Sequence, residues 1–574
     1  MRTPFIIGLA TAIAHIAAGS NTAGSQLNGW YPCAEYTFSD DGTSSGQNAE
    51  CAVYNAPQCY PGICDSVNSK IDVFVKRLPA GGNNPNKATN VWLVEGGRWT
   101  GTRSMMLDLY AKLNATVNVY AMDHRGSGRS TMLDCVAAQA QTTGSPKGRD
   151  FDPTEVAACA KSLSFKYKDL AAFSITSAAT DLSIFISTYT NGASTIVYGT
   201  SYGSAVVERL MHLAPLEVTG YVMDGISTTP GAPADESEYF SQWDVNYGAV
   251  GDYFLSFCEQ QSVCSSHFEK KSLPDTLKEV LTKFDKDPNS TCAALVTDKT
   301  TTWGDVKPSF KVREALGYIL NSPKKRRLIA PIVYRLNRCS PDDVDSIGNF
   351  LDVLNSDMTY TTQNEIYNSN LLFFLIVFSE MWEFPGPSVA EMNARFGSTK
   401  LSDGTFYKLA PVYCAFSKDN SKWCEDLGYG DYEANAIMYE RDQYWNKSAT
   451  IPSQASVLLM SSKLDAKTPH RFAESLLDVL EGDNKELVTF NYTEHGTMSW
   501  SFLVDGIYTG ETCGLDIFAS YVSNGGDLDK LDKSCLDEMP PLNLTTPIDY
   551  QYIYLSTDDA YDGTFNATVT TVYN

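Results

Sequence analysis

The chain has 574 residues, 43% of them hydrophobic and 20% charged, a balance typical of globular proteins and too long for one simple sheet. One domain carrying a large insertion, or two domains, is the expectation from length. The formal net charge of −24 at pH 7 argues against nucleic acid or an anionic membrane surface as a partner.

Met1-Arg2, an apolar stretch over 5–18 and small residues to position 24 read as a secretory signal peptide, assigned to 1–20. The apolar run falls short of the ~20 residues of a membrane span. The end of the chain is polar, Val572-Tyr573-Asn574, without a lipid-anchor tail, so no stable membrane insertion is expected. Fourteen cysteines, an even number, suit an oxidising compartment. Their spacing suggests local pairs 59–64, 135–159, 258–264, 414–424 and 513–535, leaving 33–51 and 292–339, although spacing alone leaves other connectivities open. Asn114, Asn289, Asn446, Asn491, Asn543 and Asn566 begin glycosylation sequons. No Cys or His cluster has metal-ligand spacing, so neither metal nor cofactor is expected.

Residues 26–65 form a Cys- and turn-rich extension, followed by a strand over 71–77. Buried strands are predicted at 91–94, 117–122, 195–198 and 220–224, with helices over 103–113, 177–190 and 205–213 between them. Such alternation implies a mostly parallel, doubly wound sheet. It stops after Gly225 and resumes at 456–460 and 487–490, so 227–448 reads as a mainly helical cap. The apolar run at 371–378 is too short for a membrane span and belongs in a buried element. The two core parts are then 21–226 and 449–537, with 538–574 as a polar surface tail.

Gly199-Thr200-Ser201-Tyr202-Gly203 lies between the β-branched run 195–198 and the helix-like stretch from Ser204. A sharp strand-to-helix turn exposes a serine hydroxyl, and the helix N-terminus places free N–H groups where an oxyanion would form. Ser201 is therefore the candidate nucleophile. It needs an imidazole to take its proton and a carboxylate to orient that imidazole. Of the six histidines, His15 lies in the signal segment, His212 sits three turns along the helix after Ser201, and His267 and His470 have no distinctive neighbours. His124 follows a strand but precedes the serine. His495, in Glu494-His495-Gly496 after the 487–490 strand, is the candidate base, and Asp465, in the loop after 456–460, its orienting acid. The order Ser, Asp, His is that of α/β-hydrolases. Backbone N–H groups of Tyr202 and of Gly97 or Arg98, in Glu95-Gly96-Gly97-Arg98, are the expected oxyanion donors.

These residues resemble the secreted tripeptidyl-aminopeptidase and prolyl-aminopeptidase branch of the α/β-hydrolase serine peptidases. The elbow at 199–204 is similar to that group's G-x-S-Y-G stretch, and Asp123-His124-Arg125-Gly126-Ser127-Gly128-Arg129-Ser130 to its D-x-R-G-x-G-x-S loop. Asp465 with Thr468-Pro469 resembles its acid loop, His495-Gly496 its histidine loop, and the segment from Cys513 to Cys535 its C-terminal part. The family's G-G-P-G loop is replaced here by Gly96-Gly97-Arg98-Trp99. The resemblance implies an α/β-hydrolase fold with a helical cap and removal of short N-terminal units from peptides with a free amino end. A cap carboxylate would then pair with the substrate ammonium, with Glu380 and Glu383 as candidates. The sequence thus predicts a secreted, cofactor-free serine exopeptidase acting on peptides or small molecules. The rivals are an esterase or lipase of small esters, and a catalytically weak secreted binding protein on the same scaffold.

Overall fold

A computed structural model describes residues 26–36, 49–65, 69–82, 85–96, 103–137, 151–299, 306–359 and 367–568. The signal-peptide expectation at 1–20 lies outside them, as do Gly97 and Arg98.

Nine strands form one sheet in the order β1-β2-β3-β5-β4-β6-β7-β8-β9. They are β1 (Tyr31–Cys33), β2 (Ala49–Pro57), β3 (Lys70–Leu78), β4 (Asn90–Val94), β5 (Asn118–Met122), β6 (Thr195–Ser201), β7 (Val218–Ile226), β8 (Ser456–Ser462) and β9 (Lys485–Phe490). The first three run antiparallel to their neighbours, and the other six are parallel. Helices cover both faces of a parallel sheet, so its strands are continuous apolar runs: every residue of β4 and β8 is buried. An antiparallel meander leading into a helix-connected parallel sheet, with a strand–turn–helix elbow on the central strand β6, is the α/β-hydrolase fold. β2 went unread in the Cys-rich extension, although its buried positions pair along eight residues with β3.

Between β7 and β8 the described elements are helical. Helix Leu273–Lys286 shows why: the Ser272 hydroxyl accepts from the Asp275 N–H, Pro274 sits in the first turn, and Leu277, Val280, Leu281 and Phe284 bury one face. The apolar 371–378 run becomes helix Asn370–Glu380, capped by Ser369 and buried almost all round, as such a composition requires.

The motif at 123–130 is held by buried charge. Arg125 makes two 2.6 Å hydrogen bonds to Asp181 and donates to the carbonyls of Gln58 and Ala172, while the Tyr60 hydroxyl donates to the same carboxylate. A buried pair of this kind costs about 3–5 kcal/mol if one partner is removed. Seven disulfides join 33–51, 59–64, 135–159, 258–264, 292–339, 414–424 and 513–535. No helix among the described residues is long and apolar enough to cross a membrane.

The expectation of a polar surface tail over 538–574 is corrected for its described part. Leu544, Tyr554, Leu555 and Tyr561 are buried. The fully buried Arg335 donates to the carbonyls of Asp559, Ala560 and Gly563 while paired with Asp343. Asn349 donates to the carbonyls of Ile553 and Tyr554, and Tyr561 stacks on His267 at 3.7 Å. The segment is polar in composition because much of its anchoring runs through its backbone carbonyls. Ending the chain after Glu538 is therefore expected to strip Arg335 of three acceptors and lower the melting temperature by several degrees. A thermal melt at unchanged midpoint would show that this segment adds nothing to stability.

Candidate active site

Ser201, Asp465 and His495 lie at or beyond the carboxyl ends of β6, β8 and β9, the edge where open α/β sheets leave a crevice for ligands. Ser201 has φ 53° and ψ −125°, a conformation that L-residues avoid and that turns the chain directly into helix Tyr202–Leu213. The elbow requires close approach on both sides. A Cβ at Gly199 would collide with the Gly203 carbonyl, and one at Gly203 with the Val94 carbonyl. The Ser204 hydroxyl fixes the turn by donating to the Ser201 carbonyl at 2.5 Å and accepting from the Ser227 N–H at 2.8 Å.

His495 follows β9 in a short loop. Its Nδ1–H donates to Asp465 Oδ2 at 2.8 Å. The Thr468 hydroxyl donates to the same oxygen at 2.7 Å, and the N–H groups of Lys467 and Thr468 donate to Asp465 Oδ1. Burial pushes the Asp465 carboxyl up, but the imidazole beside it and these donors outweigh burial and hold it below the ordinary carboxylate range. An acid so held stays ionised and fixes the ring with its other nitrogen free.

Ser201, Tyr202, Thr468 and His495 line one cavity of about 490 Å³. The serine hydroxyl and the ring are not hydrogen-bonded here, and such contacts are often long until substrate binds. They do share one edge: Ser201 pairs in register with Ile226, and a Cβ on the preceding Gly225 would stand 3.0 Å from His495 Cε1. Gly225, at φ +67°, leaves the room in which the ring sits. Of the expected oxyanion donors, Tyr202 is at the first helical position after Ser201, where backbone N–H groups lack intrahelical acceptors.

The structure brings in residues that sequence reasoning passed over. Asp224, wholly buried at the end of β7, accepts from the N–H groups of Thr497 and Met498 at 2.9 Å, from the Thr497 hydroxyl at 3.0 Å and from the Tyr198 hydroxyl at 2.8 Å. It thereby pins the turn immediately after His495-Gly496. Glu238 lines the cavity while 1% exposed, and its Oε2 has no hydrogen-bond partner among the described residues. Burial, aided by the negative charge of Asp465, pushes the Glu238 carboxyl well above the usual range. Asp403 also lines the cavity and accepts from Trp243 Nε1 at 2.9 Å. Phe240, Trp243, Phe373 and Phe406 form an aromatic wall beside these two acids.

Glu380 and Glu383, the candidates for meeting a substrate amine, are both already paired elsewhere. Glu380 is buried against Arg209 at 2.9 Å and the Tyr439 hydroxyl at 2.7 Å. Glu383 is bound by Arg395 and Gln242. A carboxylate next to its own cation has little left for an incoming one.

No family model matches the chain, and no curated protein matches it. Among solved structures it is similar to a serine hydrolase from the polyaromatic-hydrocarbon-degrading bacterium Cycloclasticus zankles, at 14% identity over 78% of this chain and 91% of that one, with a TM-score of 0.26. It is also similar to mouse alpha/beta hydrolase domain-containing protein 10 (9% identity, 80% and 96% covered, TM-score 0.29) and to an esterase from Exiguobacterium antarcticum (10%, 75% and 90%, TM-score 0.26). These superpositions are loose, and the reading of this chain rests on its own topology and side-chain geometry.

Replacing Asp224 by Asn sets an amide N–H against one of the two backbone N–H groups, although the Tyr198 and Thr497 hydroxyls can turn to accept. With one N–H facing another, a loss of about 1–3 kcal/mol is expected in a denaturant melt. Unchanged stability would mean that the four donors contribute nothing to holding this turn.

Proposed function

We propose that the protein is a secreted serine hydrolase that releases short N-terminal units from peptides. Ser201 attacks the scissile carbonyl, His495 takes the serine proton and returns it to the leaving amine, and Asp465 holds the ring and offsets its positive charge. The Tyr202 N–H, with a second donor from the 97–98 loop, stabilises the oxyanion. The observation that carries this reading is the His495–Asp465 hydrogen bond facing the same cavity as the strained Ser201. Seven disulfides favour an oxidising compartment.

The exopeptidase part rests on the family resemblance and on the two acids in the cavity. Glu238 and Asp403, rather than Glu380 or Glu383, are in position to meet a substrate ammonium. The helical segment beside them would admit chain ends more readily than an extended polypeptide. An esterase is the second reading, favoured by the apolar wall that also includes Leu372, Ile376 and Val377.

A fluorophosphonate probe is expected to label the protein and to fail on the Ser201→Ala variant. Asp465→Asn is expected to lower kcat on the order of 10⁴-fold by losing the correct tautomer. Labelling that survives Ser201→Ala would remove Ser201 as nucleophile. Tripeptidyl and aminoacyl anilides with free amino ends should be cleaved faster than acetylated ones; equal turnover, or activity confined to esters, would favour the esterase.

The raised carboxyl of Glu238 adds a pH dependence with a definite sign. It must be ionised to pair with an ammonium, so KM for free-amine substrates is expected to rise as pH falls through its elevated pKa. KM for blocked substrates should not follow. Parallel pH profiles for the two substrate types would exclude Glu238 as the amine partner.

A further inference from the structure

His124 is the histidine that chain order sets aside, yet it stands between the two backbone segments nearest Ser201. It follows β5 in a turn with little freedom. Arg125 next to it is locked to Asp181, the Ser127 N–H donates to the His124 carbonyl at 3.0 Å, and the Arg129 N–H donates to Asp123 Oδ2 at 2.9 Å. The ring is 7% exposed and is not among the described residues lining the cavity. Two contacts define its surroundings. Nε2–H donates to the Glu95 carbonyl at 3.1 Å, and the ring meets the Tyr202 ring edge-on, 5.3 Å between centroids at 80°.

Both partners lead directly to the candidate nucleophile. Gly96, which shares its peptide bond with the Glu95 carbonyl, lies so close to the elbow that a Cβ on it would stand 2.5 Å from Ser201 Cβ. In a trans peptide the carbonyl and the following N–H point in opposite directions. Fixing the Glu95 oxygen toward His124 therefore fixes the Gly96 N–H away from it, on the far side of the same peptide. On the other side, Tyr202 carries the N–H expected to face the oxyanion, and the imidazole edge limits its ring. Burial lowers the pKa of His124, against the opposing pull of the Glu95 carbonyl, Asp123 and Asp181, and so favours the neutral ring.

We propose that His124 is a positioning residue that holds the Glu95–Gly96 peptide and Tyr202 in the orientation needed to stabilise the oxyanion formed at Ser201. The inference rests on the reading of Ser201 as the nucleophile. His124 moves no proton in the reaction; the hydrogen bond it donates keeps one peptide from turning over.

The test compares wild type with His124→Leu and His124→Gln. Leu removes the donor, whereas Gln can present an amide N–H toward the Glu95 carbonyl. The measurements are kcat and KM on an anilide or ester that the wild type turns over, affinity for a boronate that forms a tetrahedral adduct on serine, and thermal stability. His124→Leu is expected to lose about 10²- to 10³-fold in kcat, as when an oxyanion donor is lost, with KM within about twofold. Boronate affinity should fall in parallel, and His124→Gln should recover most of both. A purely structural role would move the melting temperature without this split. If His124→Leu fails to fold, His124→Phe keeps a ring against Tyr202 and must show the same pattern.

A folded donor-free variant with kcat within threefold of wild type overturns the proposal. So does a loss of kcat with boronate affinity intact, or a Gln variant as impaired as Leu. Wild type that neither turns over any substrate nor reacts with a fluorophosphonate removes the hydrolase reading itself, and the role of His124 falls with it. An active wild type with unaffected variants removes only the role of His124.

Discussion

Parallel strands cannot be joined by tight turns; each must be re-entered from the same end after a crossover. That constraint decides where functional side chains can sit in this molecule. Six parallel strands send their carboxyl ends to one edge, so the residues following β4, β5, β6, β7, β8 and β9 become neighbours there whatever their distance in sequence. Glu95, His124, Ser201, Asp224, Asp465 and His495 each lie within about five residues of such an end. Insertions between strands, including the long helical one before β8, leave this edge intact because they leave strand order unchanged.

At this edge neighbouring loops bind one another, not only the sheet. Ser204 ties the elbow to Ser227, Asp224 ties β7 to the turn behind His495, and Thr468 ties the acid loop to its own carboxylate. Arg125 and Asp181 do the same where the loop after β5 meets the helix Ile175–Tyr189. Each tie satisfies a buried polar group that would otherwise cost free energy, so positioning and stability draw on the same contacts.

Much of this was legible because its signals are local. A serine between a β-branched run and a helix, a histidine before glycine after a strand, and an aspartate after another strand all declare themselves within ten residues. So did the strand–helix alternation, since strands buried on both faces are written as unbroken apolar runs. What escaped is what depends on distant partners. Glu238 has no pattern around it that separates it from Glu380, and only the fold shows that Arg209 occupies one while the other faces the cavity. His124 was discounted by chain order, which bears on the base of a triad but not on a residue acting through a neighbouring carbonyl. β2 hid among cysteines and turn residues. The end of the chain looked like a solvated tail because its anchors are carbonyl groups, which every sequence carries equally.

That last segment has a bearing on how the molecule assembles. The seven disulfides close loops of only 5 to 47 residues, and none reaches residues 544–563, which pack against these helices. The guanidinium of Arg335 finds the Ala560 carbonyl 225 positions downstream. During synthesis the helical layer is thus made long before the acceptors that complete it, and oxidation of the cysteines can finish while one of its buried cations still lacks most of its shell. Docking of residues 544–563 onto these helices is therefore expected to be a non-covalent step, separable in time from thiol chemistry and later than the synthesis of the helices it completes.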